Sequence, residues 1–247
     1  MMMKNKVYGI ILLGLLLSTS TSFAQFGKLI DKGKALVNTK NTPTSTTEIA
    51  EALKQALEVG ATKSADLLSK ENGFFGNQSV KIFFPPEAVK AEATLRKLGL
   101  NKLCDDAILS FNRAAEDAAI QAKPIFVNAV KKMSVKDASN ILMGENNAAT
   151  TYFKKTTSDS LSKVFEPIIQ ASMDKVGATK YYADVAKSYN KVPLTSKINP
   201  DLKAYITQKA MDGLFLQIAA EELNIRKNTA FRTTDLMKKV FAMADKK

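Results

Sequence analysis

LCDDAILSFNRAAEDAAIQAK, residues 103–123, reads as a long helix that is apolar on two sides. At 100° per residue, Leu103, Ala107, Ile108, Phe111, Ala114, Ala115, Ala118 and Ala122 share one broad arc. Alanines dominate its middle, so a partner helix can approach closely there. Leu109 and Ile120 form a shorter seam on the opposite side. A helix apolar on two sides belongs at the centre of a bundle rather than on its surface. Arg113 and Glu116 project between Leu109 and Ile120, with Asn112 beside them. Polar groups in such a place need partners, because burial without them is costly. An i,i+3 ion pair between Arg113 and Glu116 is the structural reading, and a ligand contact is the functional one. In both, the three side chains are expected to be partly buried and bonded to another helix, with Asp212 as a possible counter-charge.

Two regions outside this helix set the architecture. KAMDGLFLQIAAEE, residues 209–222, is apolar nearly all round between Ala210 and Ala220, which predicts a second buried helix. ENGFFGNQSVKIFFPPE, residues 71–87, is the least helical stretch. Gly73 and Gly76 bracket Phe74-Phe75, Val80, Ile82 and Phe84 alternate, and Pro85-Pro86 stops any ladder. Phe74, Phe75, Phe83 and Phe84 are expected either to plug the core as a strap or to form an aromatic lid or lipid-contacting tip, and the strap is the preferred reading.

Elsewhere the pattern is helical. Ser45 and Glu48 make a capping box ahead of a helix from about Thr46 to Lys70. Pro86 opens a helix through Lys97, with Gly99 at its C′ position. Pro124 kinks the central helix or starts the next. Ser134 with Asp137 caps a short helix ending near Gly144. Further helices are expected from about Asn147, from about Ser158 to Val176, from Asn199-Pro200 onward, and from about Thr234 to Ala244. The fold class is therefore all-α, a single multi-helix bundle over residues 47–247 with an irregular strap near 71–87.

Residues 1–24 have the form of a signal peptide. Lys4 and Lys6 precede the apolar run Val7 to Leu17, which is too short to span a bilayer comfortably, and Ser22-Phe23-Ala24 offers small residues for cleavage. Residues 25–46 read as a flexible segment. Cleavage after Ala24 predicts an exported, periplasmic or secreted soluble protein, not an integral membrane protein. Losing Lys4 and Lys6 lowers the formal charge from +12 to +10, still strongly basic. For an exported chain that charge points to an anionic envelope polymer or lipid rather than to nucleic acid.

The composition excludes much chemistry. There is no His and one cysteine, Cys104, so Ser/His and Cys/His nucleophile pairs, disulfides within the chain and the usual zinc sites are ruled out. No glycine loop suits phosphate, and Glu145-Asn146-Asn147 is too short for a calcium loop. No cofactor, metal ligand or catalytic residue is assigned. Asp105-Asp106 and Glu221-Glu222 diverge around their helices, so neither is a ready dyad. The leading expectation is a non-catalytic binding or interaction module for an anionic envelope component or a protein partner. One alternative is a carrier of a lipid-like ligand in a helical cavity; a second is a carboxylate-based hydrolase.

Several strings, ENGFFGN, LRKLGLNKL, NRAAEDAA followed by AKPIF, ATTYF, ASMDKVG, KAMDGLF and RTTDLMKKVF, resemble a bacterial domain-of-unknown-function family, number 4197. The resemblance runs from Glu48 to Phe241. It implies an exported helical protein and supplies no catalytic residue. Some members have lipoprotein-type signals, whereas this chain has no cysteine near residue 25.

Overall fold

The computed structural model describes residues 45–175, 177–191 and 202–245. Among them are nine α-helices: α1 (Thr46–Leu68), α2 (Val89–Lys97), α3 (Asn101–Ala119), α4 (Ala122–Lys132), α5 (Val135–Leu142), α6 (Ala148–Lys175), α7 (Ala178–Tyr189), α8 (Lys203–Lys227) and α9 (Asp235–Ala244). The described residues contain no β-strand. The expected signal peptide, most of the flexible segment and the Asn199-Pro200 helix start lie outside the described residues. No helix among them is long and apolar enough to cross a membrane.

Local chemistry sets several helix ends. The Ser45 hydroxyl accepts from the Glu48 amide while the Glu48 carboxylate accepts from the Ser45 amide, closing the capping box of α1. Ser134 and Asp137 do the same for α5. Gly99, at φ 83°, ends α2. Its amide donates to Arg96 and that of Leu100 reaches back to Leu95, a Schellman pattern. The predicted central helix breaks at Ile120-Gln121, and Pro124 falls in the first turn of α4, where an amide hydrogen is not needed.

Helix α3 packs against α6, α7 and α8, and α1 packs against α4, α5, α8 and α9. The alanine arc does what its small side chains allow: Ala107, Ala114, Ala115, Ala118 and Ala122 are fully buried. The opposite seam is shallower than expected. Leu109 is half-buried and Ile120 exposed. Helix α8 is likewise less enclosed than its composition predicts; Leu216 and Leu223 face outward while Ile206, Ala210 and Leu214 are buried.

Two expectations about boundaries are corrected. The helices predicted from Asn147 and Ser158 are one continuous helix, α6, which passes through Pro167. The run Thr156, Thr157 and Ser158 resembles a cap in sequence, but each hydroxyl donates to the carbonyl four residues earlier and stays inside the helix. Helix α7 was not anticipated. Gly177, at φ 74°, turns the chain into it, and Tyr182, Val185, Ala186 and Tyr189 form its buried face at helical spacing.

Tyr182 joins Phe84 and Phe111 in a core cluster with ring centroids 5.5–6.0 Å apart. Its buried hydroxyl has no hydrogen-bond partner among the described residues, and burial pushes the phenol up to about 12. Tyr182→Phe should therefore be neutral, or stabilising by up to about 1 kcal/mol, in urea unfolding near neutral pH. The raised phenol also gives an alkaline signature. Above pH 10 the unfolded chain loses this proton and the folded chain keeps it, so wild-type stability falls as pH climbs towards 12. The variant should lack that part of the decline. A variant clearly less stable than wild type at neutral pH would mean that the hydroxyl has a partner.

Candidate functional site

The strap, residues 71–87, crosses the side of α3 that carries Asn112, Arg113 and Glu116, and these three side chains hold its backbone. From Val80 to Phe84 the chain alternates inward and outward, with Val80, Ile82 and Phe84 buried, Lys81 half-buried and Phe83 exposed. An extended segment with no neighbouring strand leaves amide and carbonyl groups that need partners. Asn112, itself fully buried, supplies them. Its Oδ1 accepts from the Ile82 amide at 2.8 Å and its Nδ2 donates to the Ile82 carbonyl at 2.9 Å. The Asn112 amide group thus stands in for the strand that is absent. Nearby, the Tyr205 hydroxyl donates to the Phe83 carbonyl at 3.2 Å.

One turn further along α3, the buried Glu116 carboxylate holds the start of the strap. Its Oε1 accepts from the consecutive amides of Phe74 at 3.0 Å and Phe75 at 3.1 Å. Its Oε2 lies 2.5 Å from the Arg113 guanidinium. The other end of that guanidinium donates to the Asn72 side chain at 3.1 Å and reaches Glu71 at 3.3 Å. Two amides and a guanidinium therefore surround a carboxylate that would be costly to bury alone. Asn72 sits at φ 66°, and Gly73 fits only because it has no side chain; a Cβ there would come within 2.5 Å of the Leu68 carbonyl oxygen.

Each predicted site residue can now be placed. Asn112, Arg113 and Glu116 meet in one cluster, but their partners are the strap backbone and Asn72 rather than another helix. Asp212 is no part of it. It lies on the exposed face of α8, where it accepts from Gln208 at 3.0 Å. Phe74 and Phe84 are core residues, whereas Phe83 is 47% exposed and Phe75 half-buried. The strap and lid readings thus divide by residue. Phe74 is seated against Gly213 of α8, whose missing Cβ leaves room for the ring; a Cβ would lie 2.6 Å from it. The Lys81 ammonium sits 3.9 Å from the Phe75 ring centroid and 5.7 Å from that of Phe83, and Lys209 lies 5.8 Å from the Tyr205 ring. One face of the strap therefore offers aromatic rings interleaved with lysines.

The sequence reading missed two further clips of the same kind. Glu222 of α8 accepts from the amides of Ala149 and Thr150 and from the Thr150 hydroxyl, satisfying the N-terminus of α6. Arg226, paired with Glu222 at 2.9 Å, donates to the carbonyls of Ile141 and Leu142 at the end of α5. Each charge thus meets the end of the helix dipole that suits it. Arg232, 2% exposed, grips Asp245 bidentately and donates to the Ile225 and Arg226 carbonyls. Its hydrogen bonds hold the Asp245 carboxyl below the usual carboxylate range. The i,i+4 spacing of Glu222 and Arg226 was the available signal.

The members of the adjacent acidic pairs are tied to different cations, Glu222 to Arg226 as above. Asp105 pairs with Arg96, Asp106 with Lys102, and Glu221 with Lys63. No group of three or more His, Cys, Asp or Glu residues among the described residues is arranged to hold a metal ion. Burial raises the Cys104 thiol, which keeps it protonated and unreactive at neutral pH.

The clip yields a stability test. Arg113→Met removes the counter-charge of a buried carboxylate and should lower the unfolding free energy by about 3 kcal/mol. Glu116→Gln keeps an acceptor for the strap amides and should cost less. Thermal and urea unfolding of both variants check the order; an unchanged melting temperature for Arg113→Met would show that the pair does not hold the strap.

Three strings on which the family resemblance rests, ENGFFGN, NRAAEDAA and KAMDGLF, meet around Phe74, Glu116 and Gly213. No curated protein and no solved structure matches the chain. A family model described as "Protein of unknown function (DUF4197)" matches residues 43–242, most of the chain, and the chain belongs to that family.

Proposed function

We propose that this protein is an exported, non-catalytic binding module for an anionic component of the cell envelope. The observation that carries the reading is the outer face of the strap, where Phe75, Lys81 and Phe83 lie beside Tyr205 and Lys209. The ammonium groups lie over or beside the rings, and Phe83 is half exposed though fully apolar. Such a face pairs with a surface that presents negative charge above apolar material, because the lysines meet the charge while the rings lose water. The formal charge of +10 left after loss of Lys4 and Lys6 supports the same choice by drawing anions in over a distance set by salt.

The two alternative readings have less support. A carrier needs room for an acyl chain, and a hollow inside the bundle between α1, α6, α8 and α9 holds about 10 Å³, barely the space of one water molecule. Phe74 and Phe84 fill the core beside the strap. A carboxylate hydrolase needs two free carboxyls facing one substrate, and the adjacent acidic pairs are each tied to separate cations.

The full chain should bind vesicles containing phosphatidylglycerol more tightly than vesicles of phosphatidylcholine, with affinity falling as salt rises. The double variant Lys81→Glu, Lys209→Glu should lose most of that binding while keeping the wild-type melting temperature. Binding that ignores salt and survives the double variant overturns the strap face as the contact. Turnover of a phosphate or glycoside substrate library would overturn the non-catalytic reading.

Export makes a separate prediction. The intact mass of the protein recovered from the exported fraction should begin at Gln25; a mass that retains residues 1–24 contradicts cleavage after Ala24.

A further inference from the structure

A second surface stands apart from the strap face. The end of α5 and the first turns of α6 enclose an open groove of about 360 Å³. That lies at the lower end of small-ligand sites. Its floor is Ile141, which is buried, with half-buried Ala148 and Tyr152 beside it. The Tyr152 hydroxyl donates at 3.4 Å to the carbonyl of Ala129, which is outside the groove's lining. Around the rim stand the exposed side chains of Asn140, Glu145, Asn147 and Lys155. Within the described residues, the side chains of Asn140, Glu145 and Asn147 form no hydrogen bond or ion pair.

Behind the groove's lining, the Glu222–Arg226 pair holds the chain on both sides of the turn. Arg226 donates to the carbonyls of Leu142 and of Ile141, a lining residue, and Glu222 accepts from the amides of Ala149 and Thr150, which follow the lining residue Ala148. The connecting turn is tight at Gly144, where a Cβ would come within 2.7 Å of the Asn140 carbonyl oxygen. Buried ion pairs are poor devices for stability alone, and their best-attested use is to fix one arrangement. Here the pair ties the end of α5 to the start of α6, the two elements that line the groove.

We propose that this groove binds a saccharide ring. Two carboxamides each offer a donor and an acceptor, the pattern that neighbouring ring hydroxyls match, and the Glu145 carboxylate accepts from a further hydroxyl. The floor of Ile141, Ala148 and the Tyr152 ring meets the C–H face of the sugar, burying apolar surface on one side only. An inorganic anion fits less well. The α6 amides that would receive it are already satisfied by Glu222, and at the rim the Glu145 carboxylate offsets the charge of Lys155. The site uses none of the strap residues and does not depend on the function proposed above.

The test is titration of the full chain with N-acetylglucosamine, its oligomers and glucuronic acid, followed by saturation-transfer NMR and calorimetry, with glycerol as the acyclic control. A sugar should bind and glycerol should not. Asn140→Ala with Asn147→Ala should weaken binding about tenfold or more, in line with two lost hydrogen bonds, without moving the melting temperature, since both residues are exposed. The Lys81→Glu, Lys209→Glu variant should bind sugar like wild type, which separates this site from the strap face. Tighter binding of oligomers than of the monomer identifies a glycan chain as the source, and equal binding a free sugar; both support the site. Absence of binding by every sugar at millimolar concentration overturns it, as does binding that the double asparagine variant leaves intact.

Discussion

A single carboxylate oxygen, Oε1 of Glu116, receives the amides of Phe74 and Phe75, and much of the arrangement around α3 follows from that convergence. The turn that aims two successive amides inward also points the Phe74 ring into the core, against Gly213 of α8. It sends the chain back along α3, so that Ile82 arrives opposite Asn112. The carboxylate tolerates burial because Arg113 shares its charge, and Arg113 in turn reaches the Asn72 side chain. If the acceptor were missing, the strap would keep its apolar side chains but lose the reason for lying in this register.

The same device recurs at other points where the backbone cannot satisfy itself. Helices complete their own hydrogen bonds except at their ends, so a bundle of many short helices has many ends to satisfy. Glu222 and Arg226 serve the end of α5 and the start of α6, and Arg232 serves the end of α8. In each case a guanidinium and a carboxylate lie close together, and at least one of the two also bonds main-chain groups. The charges are therefore distributed by connection rather than by surface, and α3 and α8 act as the frame to which the loops are tied.

The sequence was most legible where the deciding physics is local. The capping boxes at Ser45 and Ser134, the glycine stop at Gly99 and the alanine arc of α3 depend on residues within a turn or two of one another. Asn112, Arg113 and Glu116 were also visible as polar residues in an apolar setting. Their partners were not, because the strap lies some 30 to 42 positions away in sequence, and nothing local distinguishes a helix partner from an extended one. Asp212 failed for the complementary reason: a polar residue in an apolar run is also what an exposed face looks like, and α8 exposes Leu216 beside it. The expected boundary near Ser158 is absent from α6, where the hydroxyls of Thr156, Thr157 and Ser158 bond back within the helix. The groove between α5 and α6 has no one-dimensional signature, since it is made by the angle between two helices and a pair of charges on a third.

The segment Val80 to Phe84, VKIFF, has the composition of an aggregation-prone strand, apolar and β-favouring with a single charge. In a sheet such a segment would present an open edge able to recruit another chain. Here Asn112 occupies the amide and carbonyl of Ile82, Tyr205 takes the carbonyl of Phe83, and Pro85-Pro86 ends the run. The carboxamide of Asn112 therefore also works as a guard. It lets a small helical protein carry a sticky, strand-like sequence without offering that edge to its neighbours, and the hazard returns only while the chain is unfolded.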